Sequence, residues 1–192
     1  MNRQTFFSEI RASLFGNKLS EGQVEGMEAL LDECNTQAVT DKRFIAYIMA
    51  TVYHETGKTM QPIKEIGEGK NMRYGRKIWY NGTQYNDISI IYFGRGHTQN
   101  TWRDNYVSLT KAARKQGNDW DFEHKPELLL INKQSAWATV YAMSTGLYTG
   151  RKLSNYFNQV DSNSIGARKI INGVDCAAKI AGYYDKFYDA LT

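Results

Sequence analysis

The chain has 192 residues, 42% of them hydrophobic and 23% charged, the balance of a soluble globular protein with one substantial core or two small lobes sharing a cleft. Its net charge is +4, and Lys and Arg are scattered rather than blocked, which disfavours nucleic acid as a partner and leaves other anionic polymers. No stretch approaches ~20 uninterrupted apolar residues, so no membrane span is expected.

Along the chain, the N-terminal segment has Glu9 and Arg11 among its apolar positions and no signal-peptide core. The expectation is a protein made in the cytoplasm that reaches any outside target by another route. Thr5 to Phe15 reads as a short amphipathic helix with Phe6, Phe7, Ile10 and Leu14 on one side. Ser20-Glu21-Gly22-Gln23 is a capping-box pattern that opens a second helix, striped by Val24, Met27, Leu30, Leu31 and Cys34. Asp41 caps a third helix through Phe44 to Tyr53, apolar nearly all round and therefore central.

Between Gly57 and Gly96, Gly, Asn, Tyr and charged residues dominate. Asn81-Gly82 signals a hairpin between Trp79-Tyr80 and Thr83-Gln84-Tyr85, and Ile88 to Phe93 reads as a short strand. Helical patterns return at Thr101 to Lys115, at Gln134 to Thr145 (Ala136, Val140 and Met143 in register) and at Cys176 to Leu191 (Ile180, Tyr184, Phe187 and Leu191). Cys34 and Cys176, far apart and among helical residues, read as buried thiols rather than a disulfide. There is no repeat or linker. The pattern predicts a mainly helical single domain over 1–192, with a strand-and-loop insert at 57–96 and no separate binding domain.

The chemistry centres on two acids. Glu55 follows Val52 by three residues and Ile48 by seven, on the apolar face of the third helix, where a carboxylate must be neutral, paired or at the floor of a cleft. Desolvation there suits a general acid; a helix-terminal Glu swinging into water is the plain alternative. Gly57 and Pro62 prevent Glu65 from sharing that helix, so the two acids can face each other across a groove. Glu65 lies in a polar, Gly-rich setting suited to an ionised carboxylate that activates water. Glu68, in the same loop, is its rival. The aromatic share of 13% allows some rings to line a sugar-binding groove, with core packing as the competing reading. His54 beside Glu55 lacks a second His at metal-binding spacing, and with three histidines in all no metal or other cofactor is expected.

The run Ala50-Thr51-Val52-Tyr53-His54-Glu55-Thr56 resembles the catalytic-acid helix of the glycoside hydrolase family 19 chitinases and their lysozyme-like relatives. Tyr92-Phe93-Gly94-Arg95-Gly96-His97-Thr98-Gln99-Asn100-Thr101-Trp102-Arg103-Asp104-Asn105-Tyr106 is similar to the family's second signature, and Ala167-Arg168-Lys169-Ile170-Ile171-Asn172-Gly173 to a third. The three stand in the family's order and span most of the chain. The compact form, with Met60-Gln61-Pro62-Ile63 before the second acid, looks like that of bacterial and phage endolysins.

The resemblance implies a mainly α, two-lobed, lysozyme- or chitinase-like domain with a small β-hairpin or three-stranded insert beside the cleft. It implies Glu55 as general acid, Glu65 as general base and Thr101 as the hydroxyl that helps hold the attacking water. Gln99, Asn105 and Asn172 match substrate-binding positions, and Tyr92, Arg168 and His54 are grouped with them. Arg95 and Arg168 are candidates to pair with carboxylates, or else structural clamps. Asn100 stands where Leu is common and His97-Thr98 where the family is more apolar, departures that would alter sugar contacts.

The implied function is hydrolysis of peptidoglycan glycan strands by an inverting muramidase, a monomeric endolysin released from the host cytoplasm to act at the wall. A chitinase with the same residues is the nearest alternative. A lytic transglycosylase would need only Glu55, and a catalytically dead wall-binding module is the reading from another class. Basic and aromatic residues mixed along Tyr183 to Tyr188 suggest a weak contact with an anionic outer membrane, against the competing reading of core packing.

Overall fold

The second and third helices start where the sequence places their capping residues. The computed structural model describes residues 2–192, with only Met1 outside. It contains α1 (Arg3–Ser13), α2 (Glu21–Thr36), α3 (Lys42–Glu55), α4 (Arg103–Lys115), α5 (Asn132–Thr145) and α6 (Ala177–Leu191). The Ser20 hydroxyl accepts from the Gln23 amide while the Gln23 side chain accepts from the Ser20 amide, so the capping box of α2 is complete. Asp41 caps α3 by accepting from the Arg43 amide. Every residue of α3 from Ala46 to Tyr53 is buried, as its all-round apolar sequence requires.

Two hydrophobic clusters form. The larger joins α1, α2, α3, α5 and α6 around Phe6, Met27, Leu30, Ile48, Ile180 and Phe187. In the smaller, Tyr85 and Tyr92 pack with Tyr106 and Leu109 of α4 and with Phe122 and Trp137. Helix α5 serves both: Ala136, Val140 and Met143 face the first cluster, Trp137 and Ala138 the second. Its sequence showed only the first of these faces. In α6, Tyr184 and Phe187 are buried in the larger cluster, and Tyr183 stacks edge-on against Tyr53 at 4.7 Å. The aromatic face considered for membrane contact is thus turned into the core. No helix among the described residues is long and apolar enough to cross a membrane. Cys34 is a buried free thiol whose pKa burial pushes up to about 12; Cys176, also free, is only half-buried, at the start of α6.

The insert differs from its sequence pattern. Its regular sheet consists of β1 (Ile63–Lys64) and β2 (Arg95–Gly96), antiparallel, with Ile63 opposite Gly96. The Asn81-Gly82 turn is closed by the Trp79 amide donating to the Thr83 carbonyl at 2.8 Å, with one bridge beyond it between Ile78 and Gln84. Ile88 to Phe93 belongs to no strand. Its carbonyls are met by other donors: Tyr85 Oη at Ile90, Arg95 Nη1 at Ile91 and Phe93, and the Trp102 amide at Tyr92. A buried guanidinium therefore does what a neighbouring strand would have done. A second one, Arg103, holds Asp87 and Glu123 and lies over the Trp79 and Tyr85 rings, fixing the insert to α4.

The segment after α3 is held from several sides. Thr56 Oγ1 donates to the Val52 carbonyl and accepts from the Met60 amide, and Gln23 Nε2 of α2 donates to the Lys58 carbonyl. Gly26 lets α2 approach the Met60 carbonyl so closely that a Cβ there would lie 1.8 Å from the oxygen. Gly182, exposed on α6, has nothing within 4 Å of its would-be Cβ. Gly26 and Gly182 should therefore respond oppositely to alanine. Gly182→Ala should gain up to ~1 kcal/mol from helix propensity, whereas Gly26→Ala should lose about 1–3 kcal/mol to overpacking despite the same propensity. Chemical denaturation of both variants measures the contrast, and equal responses would contradict the close approach.

Candidate active site

Glu55, the last residue of α3, emerges where the helix meets a cavity of ≈ 1220 Å³. Its side chain is 16% exposed, and Oε1 accepts from Arg168 Nη1 at 2.5 Å. Arg168 is itself 4% exposed, and its Nε donates to the Asp175 carbonyl at 3.0 Å. The carboxylate on the apolar helix face is thus the paired one among the expected alternatives, and Oε2 is left for a ligand. Arg168 does not line the cavity, so it holds Glu55 rather than touching a substrate.

Glu65 lines the same cavity. It follows directly on β1, and its amide donates to the Gly94 carbonyl at 2.8 Å. Both carboxylate oxygens accept a hydrogen bond, Oε1 from Tyr74 Oη and Oε2 from the Gly94 amide, each at 2.8 Å. Glycine at 94 leaves this arrangement its room, because a Cβ there would fall 3.2 Å from Glu65 Oε2 and 2.8 Å from Gln99 Oε1 and displace both side chains. Burial, reinforced by the Glu65 carboxylate, pushes the Tyr74 phenol up to about 12, so it remains a donor at neutral pH. Glu68, the rival base, is exposed, pairs with Lys64 and lines a separate concavity beside His124 and Pro126.

The loop between β2 and α4 carries Thr98, Gln99, Asn100, Thr101 and Trp102 along the cavity. Gln99 (φ 51°) and Trp102 (φ 67°) both occupy the left-handed region, which is costly for side chains of this size. Gln99 Nε2 donates to the Ile63 carbonyl at 2.9 Å and to the Gly96 carbonyl at 3.2 Å, so its amide hydrogens knit the loop to β1 and only Oε1 remains for a sugar. Asn105 Nδ2 donates to the Thr101 carbonyl at 2.9 Å; Thr101 thereby uses its carbonyl and keeps its hydroxyl for the cavity. Asn172 is exposed on the far wall, with Oδ1 accepting from the Gly173 amide.

Four residues singled out in the sequence lie off the cavity wall. Tyr92 is 1% exposed and donates to the Glu123 carbonyl, a member of the smaller core and not of the cavity wall. His54 is half-buried away from the cavity lining, with burial lowering its pKa more than the adjacent Glu55 raises it. Arg95 is buried, stacks over Phe93 at 3.5 Å and pairs with Glu127, so it clamps a loop and touches neither acid. His97, considered as a sugar contact, is fully buried with Nε2 donating to the Met60 carbonyl at 3.2 Å.

Other cavity residues escaped sequence reading. Tyr74, Tyr80 and Trp102 form an aromatic wall, Tyr80 edge-on to Trp102 at 5.0 Å and Tyr74 at 5.9 Å. The Tyr80 amide is tied to Asp104 Oδ2 at 2.7 Å. The aromatic-rich composition hinted at such a wall without locating it. Tyr148, Arg151 and Lys169 line the cavity too; no motif marked the first two, and Lys169 lay within the third signature without a role.

The chain matches no protein-family model, no curated protein and no solved structure.

His97 also makes the loop sensitive to acid. Burial lowers its pKa from 6.5 to about 4, so on acidification the unfolded chain takes up the proton first. The stability it contributes is complete above about pH 6.5 and falls until about pH 4, by about 3 kcal/mol. His97→Gln keeps a donor for the Met60 carbonyl but does not titrate, and should flatten that loss. Urea unfolding across this range reads it out; an unchanged acid slope in the variant would contradict the assignment.

Proposed function

We propose that the chain is an inverting glycoside hydrolase that cuts the β-1,4 bonds of peptidoglycan glycan strands, an endolysin-type muramidase resembling family 19. The observation that carries this reading is that Glu55 and Glu65 line one cavity, each carboxylate fixed by its own buried or backbone donors. The two hydrophobic clusters, both of which contribute elements to the cavity walls, support a two-lobed lysozyme-like domain. Tyr74, Tyr80 and Trp102 offer ring faces to sugars, and the side-chain amides of Asn105 and Asn172 offer hydrogen bonds to hydroxyl and N-acetyl groups.

In this mechanism Arg168 holds Glu55 Oε1, and a proton on Oε2 passes to the departing glycosidic oxygen. Glu65 has one lone pair on each oxygen engaged, by Tyr74 and Gly94, and a further pair free to take a proton from water. The Thr101 hydroxyl steadies that water, which attacks the anomeric carbon from the face opposite the leaving group. The overall charge of +4 favours peptidoglycan over neutral chitin, the second reading, which would use the same residues. The site of action would be the bacterial wall, after release from the cytoplasm in which the protein is made.

Turbidity clearing of purified peptidoglycan tests the roles. Glu55→Gln and Glu65→Gln should each lose about 10²–10⁴-fold in rate with the fold intact, and Glu68→Gln should change little. The reverse ranking of Glu65 and Glu68 would move the base, and full activity in a folded Glu55→Gln variant would overturn the mechanism. Digestion in heavy-oxygen water followed by mass spectrometry should place the label on a new N-acetylmuramic acid reducing end. A labelled N-acetylglucosamine end from chitin alone would favour the chitinase, and an anhydro end a transglycosylase.

A further inference from the structure

Arg151 and Lys169 stand on the cavity wall with no carboxylate of their own. The turn that carries Arg151 is built tightly: Gly146 ends α5 with φ 82°, and a Cβ on it would lie 3.0 Å from the Gly150 carbonyl carbon and 3.2 Å from the Arg151 backbone. The Thr149 hydroxyl reaches the Lys169 and Ile170 carbonyls at 3.0 Å each, stitching this turn to the short helical segment Gly166–Ile170. Within that segment Arg168 is buried against Glu55, while its neighbour Lys169 is exposed and lines the cavity. Arg151 is likewise exposed, and its Nη1 lies 3.5 Å from Tyr156 Oη. Neither cation belongs to any ion pair among the described residues.

The other charged groups on the cavity wall are carboxylates with assigned partners. Glu55 is held by Arg168, Glu65 by Tyr74 and Gly94, and Asp104 by the Tyr80 amide. Two free cations on the wall of the cavity that holds both acids raise the local concentration of an anionic ligand. A neutral polysaccharide would leave both unanswered.

We infer that Arg151 and Lys169 form a subsite for the carboxylates of peptide stems carried by the glycan strand, so that the site selects peptide-substituted strands over bare ones. This rests on the glycan-cleaving reading and specifies its substrate. The guanidinium offers two parallel donors that match a carboxylate, and the ammonium adds a point charge that tolerates different stem geometries.

Calorimetric binding of a peptide-bearing muramyl tetrasaccharide, compared with the same sugar stripped of peptide and with a chito-oligosaccharide of equal length, tests it. The whole chain should bind the peptide-bearing sugar about tenfold more tightly, equivalent to ~1.4 kcal/mol, with the excess shrinking as salt is added. The double variant Arg151→Ala/Lys169→Ala should lose that excess and bind the two bare sugars as before. Arg151→Lys/Lys169→Arg, which keeps both charges, should retain most of it. Equal binding of all three sugars by the unaltered chain, or a parallel loss for all three in the double variant, would overturn the subsite. If instead the excess is present but no sugar is cleaved, the subsite stands and the hydrolase reading fails.

Discussion

The carbonyl of Met60 is the point on which the geometry of this chain depends. It lies five residues after Glu55 and five before Glu65 in the sequence, and it is gripped from two distant elements. Gly26 of α2 leaves it no room to shift, and His97 of the cavity loop donates to it from a fully buried ring. A flexible connection of this length could place the second acid almost anywhere. Pinning its midpoint converts two carboxylates on different segments into one site. The Met60 backbone itself sits at φ 57°, a conformation that an unbranched side chain adopts only where its surroundings compel it.

From that junction the two acids are completed by unlike means. Glu55 ends a buried helix and is neutralised by a guanidinium that arrives from Gly166–Ile170. Glu65 follows a two-residue strand and is held by a phenol and a backbone amide. One is gripped on a single oxygen at the edge of the larger core, the other oriented on both oxygens in a polar loop. The two chemically identical groups are thus held by different donors in different surroundings. The strained Gln99 and Trp102 positions lie between these supports, where local cost is carried by Gly94, Gln99 Nε2 and Asn105.

Much of the helical frame was legible because its signals are local. The Ser20 box, the Asp41 cap and the continuous burial of α3 needed only neighbouring residues to be read. The insert was misread where its backbone partners are distant side chains. Ile88 to Phe93 has strand composition, yet Arg95, Tyr85 and Trp102 satisfy its carbonyls and no strand pairs with it. Tyr92 and Arg168, read as substrate contacts, lie behind the wall rather than on it, since a motif names a residue without saying which way it points. Tyr74 and Arg151 had no signal at all: their importance arises from where the turns after Gly69 and Gly146 deliver them. Glu65 and its rival Glu68, close together in one loop, are separated by the cavities they face.

The central claim is that water, activated by Glu65, attacks opposite a leaving group protonated by Glu55. Time-resolved proton NMR of the first product formed from a β-linked glycan oligomer reads the anomeric configuration before mutarotation. The account predicts that the α-anomer appears first, the mark of a single displacement by water. Initial release of the β-anomer, or a product with no reducing end, would contradict it.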